Sequence, residues 1–163
     1  MEYLLAIAVL LPLAAAFLTF LLPARKPGAI RALAIFATGI SLALTLFIFS
    51  KFDRSQSGYQ FVHGIEWLPS LGINLKFGVD GISMTLLLLV GFVSFCGTLV
   101  SSEIHEREKE YYILFLALTS GISGTFATMD LFFFYFFYEL AVIPMYLLIG
   151  MWGSLPPGKH GRT

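Results

Sequence analysis

The sequence predicts an all-α, polytopic membrane protein of about five transmembrane helices with one short, hairpin-like loop outside the membrane. Three observations carry this. Of 163 residues, 58% are hydrophobic and only 12% are charged, about half the charge a soluble domain uses to cover its surface. Long stretches carry no charge at all: Tyr3 to Ala24, Ala32 to Ser50 and Gly81 to Ser102. From Tyr111 to Lys159 only Asp130 and Glu139 interrupt the apolar run. Each of the first three gaps matches the roughly 20 residues that a helix needs to cross about 30 Å of hydrocarbon. The same composition excludes other classes. Ten acidic and ten basic residues cancel, so no overall field draws nucleic acid or an acidic substrate. The 17 Phe, 7 Tyr and 2 Trp exclude disorder. A single cysteine, Cys96, forms no internal disulfide and gives no sign of redox compartment.

Taken in order, the first span covers 3–22. Ala14, Ala15 and Ala16 have the size of a cleavage site, but Glu2 precedes the run with no Lys or Arg, and the apolar stretch continues to Leu22. We read it as a retained helix. The second span is 31–50. The loop 51–80 holds two β-prone runs, Tyr59 to Leu68 and Ile73 to Val79, joined by Pro69, Ser70, Leu71 and Gly72, a hairpin signal. Trp67 and Tyr59 suit the headgroup level. The third span, 81–102, starts after Asp80, whose carboxylate serves as a cap. The next loop, Glu103 to Glu110, alternates charge, with Glu103 and Arg107 spaced to pair on a helix end. The remaining stretch, Tyr111 to Gly153, would be about 65 Å long as one helix, so it turns back. Asp130 lies at the turn and caps the following helix, giving spans 111–129 and 131–150. Four spans plus a re-entrant segment is the alternative. The whole of 1–163 reads as one membrane domain.

Orientation follows the distribution of Lys and Arg. With the amino end outside, the inner segments hold Arg25, Lys26, Arg31, Arg107, Lys109, Lys159 and Arg162, whereas the outer loop holds Lys51, Arg54 and Lys76. The amino terminus is therefore expected outside and the carboxyl terminus in the cytoplasm.

One residue stands apart chemically. Glu139 is nine residues past Asp130, about 13.5 Å along the fifth helix and near the bilayer midplane. A charge there costs at least about 2.5–3.5 kcal/mol, so such residues are expected to be buried against protein or a water cavity and to mark ion pathways. A plain hydrogen bond to a neighbouring helix is the competing explanation. Pro144 cannot donate to the Leu140 carbonyl and should loosen the helix just after Glu139; the freed carbonyl could hold water, or the bend could serve packing alone. Tyr135 and Tyr146 share the Glu139 face and extend a sparse polar line. For Asp130 a capping role suffices, with proton movement the alternative. Small residues at fourfold spacing, Ala117, Gly121 and Thr125 with Ser120 and Gly124, and a similar seam of Gly91, Ser94, Gly97 and Ser101, are expected to let helices approach closely. His63, His105 and His160 read as loop residues without metal-ligand spacing, and no nucleophile–base pair or phosphate-binding loop is present in the sequence.

The run from Asp130 to Gly153, with Glu139 followed by Leu140-Ala141-Val142-Ile143, Pro144, Met145-Tyr146 and then Ile149-Gly150-Met151-Trp152-Gly153, resembles the antiporter-like membrane subunit M of proton-pumping NADH:quinone oxidoreductase, respiratory complex I (subunit 4 in mitochondria). Supporting strings are Gly64-Ile65-Glu66-Trp67-Leu68-Pro69, Val79-Asp80-Gly81-Ile82-Ser83 and Lys109-Glu110-Tyr111-Tyr112. The resemblance spans essentially the whole chain but only the first third of that subunit. It implies a helical bundle with inverted five-helix repeats, in which Glu139 belongs to the proton path and is coupled to lysines on later helices; those lysines have no counterpart here. It further implies a non-catalytic, proton-translocating subunit with no cofactor of its own. NADH, FMN, iron–sulfur clusters and quinone would be bound by other subunits. The implied partners are other membrane subunits and the lipid bilayer, with no nucleic acid and no soluble substrate. The implied location is the bacterial cytoplasmic membrane or its equivalent. A subunit of a multi-subunit Na⁺/H⁺ antiporter or membrane-bound hydrogenase is the sibling alternative, and a structural membrane fragment without transport is the other.

Overall fold

A computed structural model describes residues 2–53, 55–56, 58–68, 72–101, 104 and 106–153. Five helices and one hairpin follow in the order α1 (Glu2–Leu21), α2 (Pro27–Lys51), β1 (Gln60–Leu68), β2 (Ile73–Val79), α3 (Gly81–Val100), α4 (Glu108–Ala127) and α5 (Leu131–Trp152). The helices overlap the charge gaps, although α2 opens four residues before its expected span and takes in Arg31, and α4 opens three residues early, at Glu108. Pro27 opens α2, where its fixed φ suits the first turn. Asp80 caps α3 by accepting the Ser83 N–H at 2.8 Å, a bond that holds its carboxyl below the usual carboxylate range. Arg107, in the left-handed region at φ 52°, separates α3 from α4. The pairing of Glu103 with Arg107 falls outside the described residues; Arg107 instead pairs with Glu110.

Four of the five helices, α1, α2, α3 and α5, are long and apolar enough to cross a membrane, and the chain is an integral membrane protein. The fourth helix differs from the expected span in one respect: it is less apolar than the others. The reason lies in its position. It packs against α1, α2, α3 and α5, and its hydroxyl and glycine positions, Thr119, Ser120, Gly121, Ser123 and Gly124, are buried. A helix surrounded by other helices needs no greasy outer stripe.

The small residues act as the sequence spacing predicts. A Cβ on Gly91 of α3 would meet Leu42 of α2, and one on Gly97 would meet the Phe115 ring of α4. Gly124 leaves room for the Phe137 ring of α5. Several buried threonine hydroxyls donate to the carbonyl four residues back in their own helix, as for Thr19, Thr45 and Thr98. Two reach across helices to α1: Ser41 donates to the Ala8 carbonyl and Ser120 to the Val9 carbonyl, both at 2.7 Å. Pro12 lies within α1 and cannot donate to Ala8, four residues before it. The Ser41 hydroxyl therefore supplies from α2 the bond that Pro12 removes.

The hairpin forms as expected, antiparallel with His63 opposite Phe77 and Ile65 opposite Leu75; residues 69–71 lie outside the described residues. His63 is thus a strand residue and not a loop residue, its ring 4.2 Å from that of Tyr3, because β1 begins at Gln60, three residues before it. His105 and His160 lie outside the described residues. On its other edge β2 binds the α4–α5 turn: Met129 N–H donates to the Lys76 carbonyl at 2.8 Å and Phe77 bridges to Thr128. At the opposite end of the bundle Arg31 of α2 meets Glu108 of α4 at 3.1 Å, and Lys109 donates to the Phe20 carbonyl at the end of α1.

Two outcomes follow. Arg31→Ala strands the nearly buried Glu108 carboxylate and should cost about 1–3 kcal/mol, read as a lower thermal midpoint in detergent; adding Glu108→Gln should recover part of it. Asp80→Ala should cost about 1 kcal/mol through loss of its cap. The wild-type contribution of Asp80 should hold above pH about 4 and fade as pH falls through the lowered value, a dependence that Asp80→Asn removes.

Candidate functional site

The fifth helix begins where Asp130 accepts the N–H groups of Phe132 at 2.9 Å and Phe133 at 3.3 Å. Its other carboxylate oxygen accepts the Asn74 N–H of β2 at 3.3 Å. Asp130 therefore caps α5 and ties it to the hairpin. At the far end Trp152 Nε1 donates to the Glu106 carbonyl at 3.1 Å. The helix is fixed at both ends, and its axial register is set.

One stripe of α5 is buried against the bundle: Phe133, Phe137, Ala141 and Pro144. At about 100° per residue, Tyr135, Glu139 and Tyr146 fall within about 40° of one another on the opposite side. The three do share a face, as the sequence implies. That face points away from the other helices. Glu139 is exposed, and Tyr135 and Tyr146 are 59% and 75% exposed. This corrects the expectation that Glu139 is buried: the depth along the helix is as expected, but the packed stripe of α5 lies half a turn away. Neither ion pair among the described residues involves Glu139. No group of three or more metal-ligating side chains occurs among them either.

Pro144 lies inside a continuous α5 and is buried. Beside it, a Cβ on Gly121 of α4 would come 2.8 Å from the Leu140 carbonyl carbon and 2.6 Å from the Ala141 nitrogen. The backbones of α4 and α5 thus touch at the peptide that follows Glu139 by one residue. Sequence reasoning finds the glycine but not its contact, because spacing marks a small face without saying what fills it. It also misses the Arg31–Glu108 pair, whose members are 77 residues apart and each look like an ordinary helix-end charge. Beside that pair, Tyr112 is fully buried and its hydroxyl has no hydrogen-bond partner among the described residues; this too has no local signal.

Among the described residues no other element covers the Glu139 face of α5; a carboxylate on such a face would need a protein or water neighbour, since lipid alone would leave it unsolvated. No protein-family model matches the chain. The chloroplastic NAD(P)H-quinone oxidoreductase chain 4 of Chara vulgaris is 39% identical over 151 residues, covering 92% of this chain and 31% of that protein. NADH-ubiquinone oxidoreductase chain 4 of Marchantia polymorpha is 34% identical over 147 residues, 90% of this chain and 30% of that one. Among solved structures, respiratory complex I from Thermus thermophilus with bound NADH matches with a TM-score of 0.73 at 31% identity, over 91% of this chain and 29% of the matched chain. The membrane-bound sulfane sulfur reductase, an archaeal respiratory membrane complex, matches with a TM-score of 0.74 at 25% identity, over 94% and 31%. The chain spans about three-tenths of the length of the curated relatives it matches. By sequence it is similar to about three-tenths of chain 4 of the NAD(P)H-quinone oxidoreductases, and by fold to part of a chain of respiratory complex I.

Proposed function

We propose that this chain forms part of a proton-translocating membrane subunit of an NADH:quinone oxidoreductase, and that Glu139 is its proton-exchanging group. The observation that carries the reading is the placement of Glu139: halfway along α5, in line with Tyr135 and Tyr146, on the face turned from the bundle. A desolvated carboxyl favours its protonated form, and a cation brought close favours the carboxylate. Covering the α5 face with further helices and moving a cation toward Glu139 would load and unload one proton per cycle without any redox chemistry in this chain. Electrons, and the cofactors that carry them, belong to other subunits. Asp130 positions the helix from its cap. Pro144 sets the local geometry after Glu139.

The sulfane sulfur reductase likeness favours a second reading, a subunit of another redox-driven membrane complex with the same fold. The higher identity to chain 4 relatives favours the first.

Topology belongs to the same proposal. Arg25, Lys26, Arg31, Arg107 and Lys109 gather at the end of the bundle away from the hairpin, as the ion pair of Arg31 and the bond from Lys109 to Phe20 require. That end is cytoplasmic by the excess of Lys and Arg, and the hairpin faces outside.

In the complete complex, Glu139→Gln should abolish NADH-driven proton pumping through this subunit while assembly is retained. A wild-type proton-to-electron ratio in that variant overturns the role. For topology, a cysteine replacing exposed Gln56 should react with a membrane-impermeant maleimide added outside intact cells. Labelling only from the cytoplasmic side of inverted vesicles reverses the orientation.

A further inference from the structure

Two helices in this bundle contain an internal proline, and the two breaks are closed in different ways. In α1 the carbonyl left without a donor by Pro12 belongs to Ala8, and it receives the Ser41 hydroxyl from α2 at 2.7 Å. In α5 the carbonyl left by Pro144 belongs to Leu140, and among the described residues no side chain donates to it. What lies against it is the backbone of α4. Gly121 approaches so closely that a Cβ there would sit 2.8 Å from the Leu140 carbonyl carbon, 2.6 Å from the Ala141 nitrogen and 2.9 Å from the Ala141 Cα. All three are backbone atoms, which no rotamer change moves.

We propose that Gly121 is a positioning residue for Glu139: the Gly121 contact on the Leu140–Ala141 peptide, at the bond Pro144 removes, sets how far Glu139 projects from the bundle. The inference rests on the reading of Glu139 as the proton-exchanging group. Its geometry is that of a pivot. The helix is held at its start by Asp130, which Asn74 also reaches, and at its end by Trp152. Between these two holds, the missing Pro144 bond leaves the Leu140 region the most easily bent point. Gly121 bears on the inner side of that point, and Glu139 stands one residue before it on the outer side. A side chain at residue 121 must push the α5 backbone out by about 1 Å to restore ordinary van der Waals separation. Proton transfer depends steeply on donor–acceptor distance, and a displacement of that size can cost on the order of a hundredfold in rate.

Gly124, one turn along α4, provides the contrast. A Cβ there meets the Phe137 ring, a side chain that can be shortened. Gly124→Ala combined with Phe137→Leu should therefore pump like the wild type, whereas no substitution at Ala141 relieves Gly121→Ala, because the clash is with backbone.

The test uses the complete complex in its native membrane. Gly121→Ala is expected to assemble, to transfer electrons from NADH to an artificial acceptor at the wild-type rate, to pump protons about tenfold more slowly or worse, and to shift the pH profile of pumping. A purely structural role would lower assembly or thermal stability and leave that profile in place. Wild-type pumping with a wild-type pH profile in assembled Gly121→Ala overturns the inference. Should that variant fail to assemble, Pro144→Ala decides: restoring the donor to Leu140 should stiffen the pivot and shift the profile, and an unshifted profile overturns the inference. Glu139→Gln separates the two layers. Pumping retained there removes the reading of Glu139 itself, while pumping lost there with Gly121→Ala unaffected removes only the role of Gly121.

Discussion

In hydrocarbon a helix gains nothing from hiding one apolar side chain behind another, so association rests on close packing and on hydrogen bonds that find partners inside the protein. Here both depend on α4. Gly121 and Gly124 remove bulk from one side of it, and α5 comes in until backbone touches backbone. Ser120 reaches α1 from another side, and Phe115 receives Gly97 of α3. Glu108 takes the Arg31 guanidinium from α2 at its amino end. Remove the narrowness of α4 and the four helices around it lose their common support. The lower apolarity of this helix is the chemical trace of that central position.

Much of this was legible because lipid imposes so few choices. A charge-free run of about 20 residues has one stable conformation in a bilayer, and Asp80 and Asp130 advertise helix starts through a short acceptor side chain placed just before the run. The hairpin was legible for a similar reason: two alternating, β-prone runs flank a Pro–Gly connection. What remained hidden was which side of each helix meets which neighbour. Apart from the sparse line of Tyr135, Glu139 and Tyr146, the α5 sequence is apolar, so its periodicity does not say whether that line faces in or out. That is why Glu139 was expected to be buried and is instead exposed. Pairings such as Arg31 with Glu108 depend on the arrangement of α2 beside α4, and a single sequence encodes that only through the packing itself.

The exposed polar line on α5 carries a cost that an apolar helix face does not. A largely apolar helix face, such as that of Leu89, Phe92, Val93 and Leu99 on α3, can rest against lipid. A face carrying a carboxylate and two phenols cannot rest there without cost. The curated relatives are about three times as long; on the proposed reading, further helices would cover this face.

The bond from Met129 to Lys76 and the bridge from Phe77 to Thr128 have a consequence for how the protein is made. The ribosome releases β2 about 50 residues before it releases the α4–α5 turn. When that turn emerges on the hairpin side, its docking edge is already waiting. Once the turn has zipped onto β2, its backbone groups are occupied, and pulling it away means breaking those bonds.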